Sequence, residues 1–248
     1  FDGQNAMLTV TLPDSLKSIG DYAFLDAESL TSITLPKNVS EIGEWAFHTL
    51  SLQNIMVDAE NQWFSSADGV LFNKDQSVIL RYPHGKSGTY SIPETVTTIG
   101  KHAFSYAHSL TNVNIPSSVK RIEAGAFAET EKLERIVIPE TVLSIGRSAF
   151  TCCDNLTEVY ILNDNLLFDA NYIFDGSKNV TIYGLENSTA QAYAAENGIM
   201  FSVYGDAISS GDVNGDGQSS DLMYIPKDAS EIEFVDLIYK DKTDGKAF

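Results

Sequence analysis

Cysteine is almost absent: the chain of 248 residues has two, and they are the neighbours Cys152 and Cys153. A disulfide between adjacent residues is strained and two thiols build no framework, so covalent staples are excluded as the source of order. Histidine is nearly as scarce, with four residues at His48, His84, His102 and His108. None has a partner at a metal-ligand spacing such as His-x-x-x-His. Positive charge is short as well: 16 Lys and Arg stand against 34 Asp and Glu, for a net charge of −18. Such a surface repels phosphate backbones and anionic lipids, so a nucleic-acid partner is not expected. No apolar run approaches the roughly 18 residues of a membrane-spanning helix, so no transmembrane segment is expected. The opening segment 1–8 has neither the basic region nor the apolar stretch of a secretory leader, so it gives no clue to localisation.

What the chain does have is a ruler. Gly-x-x-Ala-Phe recurs at Gly20/Phe24, Gly43/Phe47, Gly100/Phe104 and Gly146/Phe150, with Gly125-Ala126-Phe127 as a shifted copy. Phe24 to Phe47, Phe104 to Phe127 and Phe127 to Phe150 are each 23 residues apart, a fixed period that marks stacked supersecondary units. Each unit reads Leu-x-x-Val-x-Ile-Pro-x-x-Val-x-x-Ile-Gly-x-x-Ala-Phe, clearest in Leu110, Val113, Ile115, Pro116, Val119, Ile122, Ala126 and Phe127. The Val-x-Ile pair alternates with period two, as in a short half-buried strand, and Pro116 ends it by removing a ladder donor.

The strands predicted this way are 9–12, 32–35, 54–57, 89–92, 112–115, 135–138, 158–161 and 179–182. The fold expected is a mainly β repeat solenoid, a right-handed stack of about eight coils with one short parallel strand per coil. Phe47 and Phe104 lie 57 apart, and the excess holds two apolar runs around Asn73-Lys74-Asp75-Gln76, which predicts a hairpin insertion at 69–83 replacing a regular coil edge. Near 188–197 the composition turns to Ala and Gln, with Ser188 or Thr189 as N-cap and Gly198 just past the end, so a capping helix should close the stack. The chain thus divides into a solenoid at 1–204 and an acidic tail at 205–248.

The repeat unit, the insertion DGVLFNKD…YP and the ending TIYGLENSTAQAYAAENGI resemble the BspA-like leucine-rich repeat family over about residues 7–204. The resemblance implies an extracellular or cell-surface protein of the kind found on host-associated bacteria and some protists, which adheres to host or matrix proteins. It brings no catalytic residues.

The ruler places Cys153 in an inward slot that other coils fill with Ala27, Leu50, Ala107 and Thr130, where a thiol packs as a small hydrophobe and is no nucleophile. His102 falls in the variable slot of Tyr22, Trp45 and Ser148, an exposed coil position. Acidic side chains scatter over outward positions, so no hydrolase pair is expected. What remains is the outward strand row, which includes Ser32, Asn54, Asn112, Arg135 and Tyr160 and offers ordered donors and acceptors to a protein or glycan ligand. Tyr22 and Trp45 sit at one repeat position on neighbouring coils and would form an aromatic edge for a sugar or a partner protein.

The tail is a different object. Asp212, Asn214 and Asp216 stand at positions 1, 3 and 5 of a calcium loop, with Gly217 at the turn position and Gln218 offering a carbonyl. Position 12 is Met223, and the nearby acid is Asp221 at position 10. The segment resembles the first loop of a dockerin, which implies docking to a cohesin-like scaffold, but the second loop that a dockerin needs is missing. Asp221–Pro226 and the Ser230…Glu233 stretch equally resemble a phrase in TonB-dependent receptors. The solenoid requires no cofactor, and Ca2+ is the ion the tail would take.

Overall fold

A parallel stack works only if each coil offers its neighbour the same hydrogen-bonding edge, and the 23-residue period meets that condition. The computed structural model describes residues 10–169 and 172–203. They form a mainly β solenoid of about 8 turns with one helix. The expected ladder runs through Ser32–Leu35, Asn54–Val57, Gly88–Ser91, Leu110–Asn114, Arg135–Ile138, Glu158–Ile161 and Thr181–Gly184. These strands fall into three sheets, Ser32–Leu35 with Asn54–Val57, Gly88–Ser91 with Leu110–Asn114 through one register shift, and Arg135–Ile138 with Glu158–Ile161 and Thr181–Gly184. Within them the partners run parallel, Ile33 with Ile55 and Ile136 with Val159 with Ile182, so the inward residues stack like on like. The last strand starts two residues later than the Val-x-Ile pattern predicts, and residues 10–12 carry no strand, while Thr9 lies outside the described residues.

Coils carry a second strand that the sequence pattern did not announce. Ser18–Ile19 pairs with Glu41–Ile42, and Thr98–Ile99, Arg121–Ile122, Ser144–Ile145 and Leu167–Phe168 form a second parallel ladder. Two residues are too few to show a period. Two of the glycines that follow these isoleucines are needed for close approach: a Cβ on Gly146 would lie 2.6 Å from the Ala124 amide nitrogen, and one on Gly43 would meet Asp21 and Gly20 backbone, whereas Gly20 has open space around it. Past the glycine, alternate amides bond the next coil, as Phe104 N–H to the Ala126 carbonyl and Phe127 N–H to that of Ala149, both at 2.7 Å. This turn holds Tyr22, Trp45, His102 and Ser148 at φ of 54–56°, the left-handed region. In the shifted copy that slot is taken by Gly125, at φ 63°, which explains why the glycine moved.

The phenylalanines stack along the axis, with Phe104–Phe127 at 4.9 Å, Phe127–Phe150 at 5.2 Å and Phe150–Phe174 at 5.4 Å between ring centroids. These spacings match the roughly 4.8 Å between paired strands, so the rings repeat at the backbone's own interval. Each buried phenylalanine contributes about 1.5–3 kcal/mol.

The hairpin at 69–83 is present, as Val70–Asn73 antiparallel to Val78–Arg81, and Phe64–Ala67 extends it to a three-stranded meander. Val78–Arg81 then pairs parallel with Thr98–Ile99, taking the place of a regular coil edge. The insertion also divides the core. Leu71 packs with the N-terminal cluster around Phe24 and Phe47, whereas Val70 and Phe72 on the opposite face pack with the C-terminal one around Phe104 and Phe127. A strand buried on both faces has no polar side to spare, and Val-Leu-Phe meets that demand.

At the other end Thr189–Asn197 is the expected helix. Ser188 Oγ accepts from Gln191 N–H at 3.3 Å, Gln191 Oε1 accepts from Asn187 N–H at 2.7 Å, and Gly198 sits at φ 66°. Ala190, Tyr193 and Ala194 face inward, and the Tyr193 ring lies 4.2 Å from that of Phe168, which closes the stack. Met200–Val203 adds a final parallel strand beside Thr181–Gly184.

Candidate binding site

The outward strand row is where the repeat places it. Ser32 stands beside Asn54, Asn112 beside Thr89, and Arg135 beside Glu158. Asn54 is exposed, while Ser32, Asn112 and Arg135 are partly buried. Two members do not offer free polar groups. Arg135 forms an ion pair with Glu158, and Tyr160 is 4% exposed, its hydroxyl donating to Glu158 Oε2 at 3.1 Å and its ring stacked on Tyr183 at 4.7 Å. The expectation of an open Tyr160 is therefore corrected: a phenol ring spans the distance to its like neighbour on the next coil and is covered by it. The surface at this end is a self-satisfied strip.

The aromatic edge is also corrected. Tyr22 is half exposed, but Trp45 turns the other way, into a cluster built by the insertion. Its ring lies 4.5 Å from His102, 5.6 Å from His48 and 5.8 Å from Tyr106, and the Arg81 guanidinium lies over it at 5.5 Å. His84 joins through His48 at 5.1 Å and His108 through Tyr106 at 5.8 Å, so all four histidines of the chain gather on one side of the solenoid. His102 is partly buried here, not an exposed coil position. No linear motif could reveal this, because the meander brings residues 81–84 between coils that are otherwise 57 residues apart.

Burial dominates the chemistry of the cluster. It pushes the His84 imidazole down to about 2, with the Arg81 charge adding to the effect, and it lowers His48 and His102 in the same way. Burial thus favours the neutral form of all three rings. Among the described residues neither nitrogen of His84 has a hydrogen-bond partner, and nor do the Nδ1 atoms of His48 and His102. No group of three or more His, Cys, Asp or Glu side chains among the described residues is placed to hold a metal ion.

A cleft of about 250 Å³ opens beside Trp45, between the N-terminal stack and the meander. Its floor is apolar, with Ile42, Phe47, Phe64, Leu71 and Leu80, and its charged lining is Glu44, Arg81 and Lys101. Lys101 Nζ holds Glu44 Oε1 at 2.8 Å. Arg81 donates through Nη1 to the His102 carbonyl at 2.7 Å and has no carboxylate partner among the described residues. Burial lowers its pKa to about 10, which leaves it charged at neutral pH.

The two cysteines differ in exposure: Cys152 is at the surface and Cys153 is inside. Cys153 is fully buried, with its Sγ 3.1 Å from the Phe127 carbonyl, and burial raises both thiols. The inward slot it shares with Ala27, Ala107 and Thr130 is not filled by Leu50, which is 56% exposed. That coil is one residue shorter between Phe47 and Leu52, so Thr49 moves inward and donates to the Ala27 carbonyl at 2.8 Å. The calcium-loop residues Asp212, Asn214, Asp216, Gln218 and Asp221 lie outside the described residues.

Two parallel ladders, an aromatic axial stack and a terminal helix define a leucine-rich-repeat-type β solenoid. The model of the BspA type leucine rich repeat region matches residues 1–76 and 84–195 in 6 copies, and the chain belongs to that family. The gap in the match, 77–83, falls within the insertion. Among solved structures, a leucine-rich repeat protein from Eubacterium ventriosum is similar at 28% identity and a TM-score of 0.63, covering 71% of this chain and 47% of its own. A leucine rich cell surface protein from Faecalibacterium prausnitzii is similar at 28% identity and a TM-score of 0.58, covering 76% of this chain and 56% of its own. The chain thus spans about half the length of these relatives. No curated protein matches it. Among the described residues no helix is long and apolar enough to cross a membrane.

Proposed function

We propose that this chain is a non-enzymatic binding and adhesion protein, exported or held at the cell surface, that presents its solenoid to a host protein or glycan. The observation that carries the reading is the outward strand row, where the polar pairs Ser32 beside Asn54 and Thr89 beside Asn112 stand on either side of the insertion, on a scaffold whose inward residues are buried. Such a row is preorganised, so a ligand that matches its spacing loses little conformational entropy on the protein side. The cell-surface description of the Faecalibacterium relative supports the location. Solid-phase binding of the purified chain to extracellular-matrix proteins and to a glycan array tests it. We expect saturable binding to at least one partner, weakened by Asn54→Ala with Asn112→Ala; uniform absence of binding overturns the reading.

A second reading makes the repeats a spacer and the tail a calcium-dependent attachment module, on the strength of the Asp212, Asn214 and Asp216 spacing with Gln218 and Asp221 behind it. Calorimetry with calcium on the wild type and on Asp212→Ala decides it. Heat in the wild type that the variant lacks supports a loop site, and no heat in the wild type removes it.

A further inference from the structure

The cleft beside Trp45 has a charge inventory that does not close. Glu44 and Lys101 neutralise each other across a 2.8 Å ion pair. His102, the remaining titratable side chain of the lining, is driven toward its neutral form by burial and by the Arg81 charge. Arg81 is then the uncompensated charge, in a chain with more than twice as many acidic as basic residues. A guanidinium has five N–H donors in a planar fork, and the described residues accept from one of them. Partial burial of an unpaired cation is unfavourable, and the Trp45 ring at 5.5 Å offsets it only in part. The strand that carries Arg81 is held on both sides, by Val70–Asn73 and by Thr98–Ile99, so the side chain is presented from a rigid element. Beside this charge the cleft is greasy: Phe64, Leu80 and Ile42 are each partly exposed toward it.

We infer that this cleft is a binding site for a small amphipathic carboxylate, with its apolar body on Phe64, Leu71 and Leu80 and its carboxylate on the free edge of the Arg81 guanidinium. The carboxylate takes up the planar fork in bidentate fashion, and the apolar body displaces water from the floor. The cavity volume suits a single ring or short aliphatic chain, not an oligosaccharide or a peptide segment. Trp45 also lines the cleft. This site is separate from the outward strand row, so it stands or falls independently of the adhesion reading.

The test uses the full chain and three probes of one shape: phenylacetate, phenethylammonium and phenethyl alcohol. The readout is the indole N–H resonance of Trp45, assigned with a Trp63→Phe variant. Phenylacetate should shift it saturably, the alcohol should bind at least about tenfold more weakly, and the ammonium should give no shift. Arg81→Gln, checked for folding by circular dichroism, should lose about tenfold in phenylacetate affinity or more. Equal binding of the three probes, no saturable shift with phenylacetate, or full affinity in a folded Arg81→Gln each overturns the inference. If Arg81→Gln does not fold, discrimination among the probes by the wild type decides alone.

Discussion

The regular coils and the junction at residues 64–90 are made from the same residue types, yet they treat polar groups in opposite ways. In the C-terminal stack each phenylalanine meets a phenylalanine, and Tyr160 finds both a ring and a carboxylate within its own ladder. At the junction the stack is broken by Tyr82, which tilts at 5.1 Å against Phe104 and whose buried hydroxyl has no partner among the described residues. The buried side-chain atoms without a partner around the junction belong to His48, Tyr82, His84, His102 and Ser105, and Ser118 adds one in a regular coil. A repeat solves each hydrogen-bonding demand once and copies the solution. An interruption has no template, and its polar groups are left for something else to use.

The widest gap between the two regions should appear on cutting the axial stack. Phe127→Ala removes a fully buried ring from between two others and should cost about 3–5 kcal/mol in denaturant unfolding, more than any junction substitution below. A loss under about 1 kcal/mol would mean that the stack is not what holds the coils. Next comes close approach: Gly146→Ala puts a methyl group 2.6 Å from the Ala124 amide nitrogen and should destabilise by about 1–3 kcal/mol, whereas Gly20→Ala, with open space around it, should change little.

The sharpest comparison is one substitution made in both places. Tyr160→Phe deletes a donor to Glu158 and should cost about 1 kcal/mol, while Tyr82→Phe deletes an unpartnered buried hydroxyl and should be neutral or slightly stabilising. Equal losses at the two sites would erase the distinction. Arg135→Ala breaks the ion pair with Glu158 at the strand face and should cost about 1 kcal/mol, measurable in the same assay.

The regular half was legible because its determinants are local. Val-x-Ile, Ile-Gly and Ala-Phe recur at a fixed period, and the cap signals Ser188 and Gly198 lie next to the helix they bound. The second ladder was hidden by its two-residue length, and Leu50 was misplaced because a one-residue deletion resets the inward register to Thr49. The Trp45 cleft was not legible at all. Its members, Glu44, Phe64, Arg81 and Lys101, come from four segments that only the folded meander brings together, as the ion pair between residues 44 and 101 shows.

A titration of the histidine rings by NMR probes the junction most directly. Burial sets the folded pKa values of His48, His84 and His102 below the ordinary 6.5, so the unfolded chain takes up protons first. The stability these rings contribute is complete above pH about 6.5 and is lost as the pH falls below it. The rings of His48 and His102 should titrate below 6.5, and His84 should stay neutral until the chain begins to unfold. If all three titrate together at 6.5 or above, the cluster is open to water and the contrast between junction and coil is wrong.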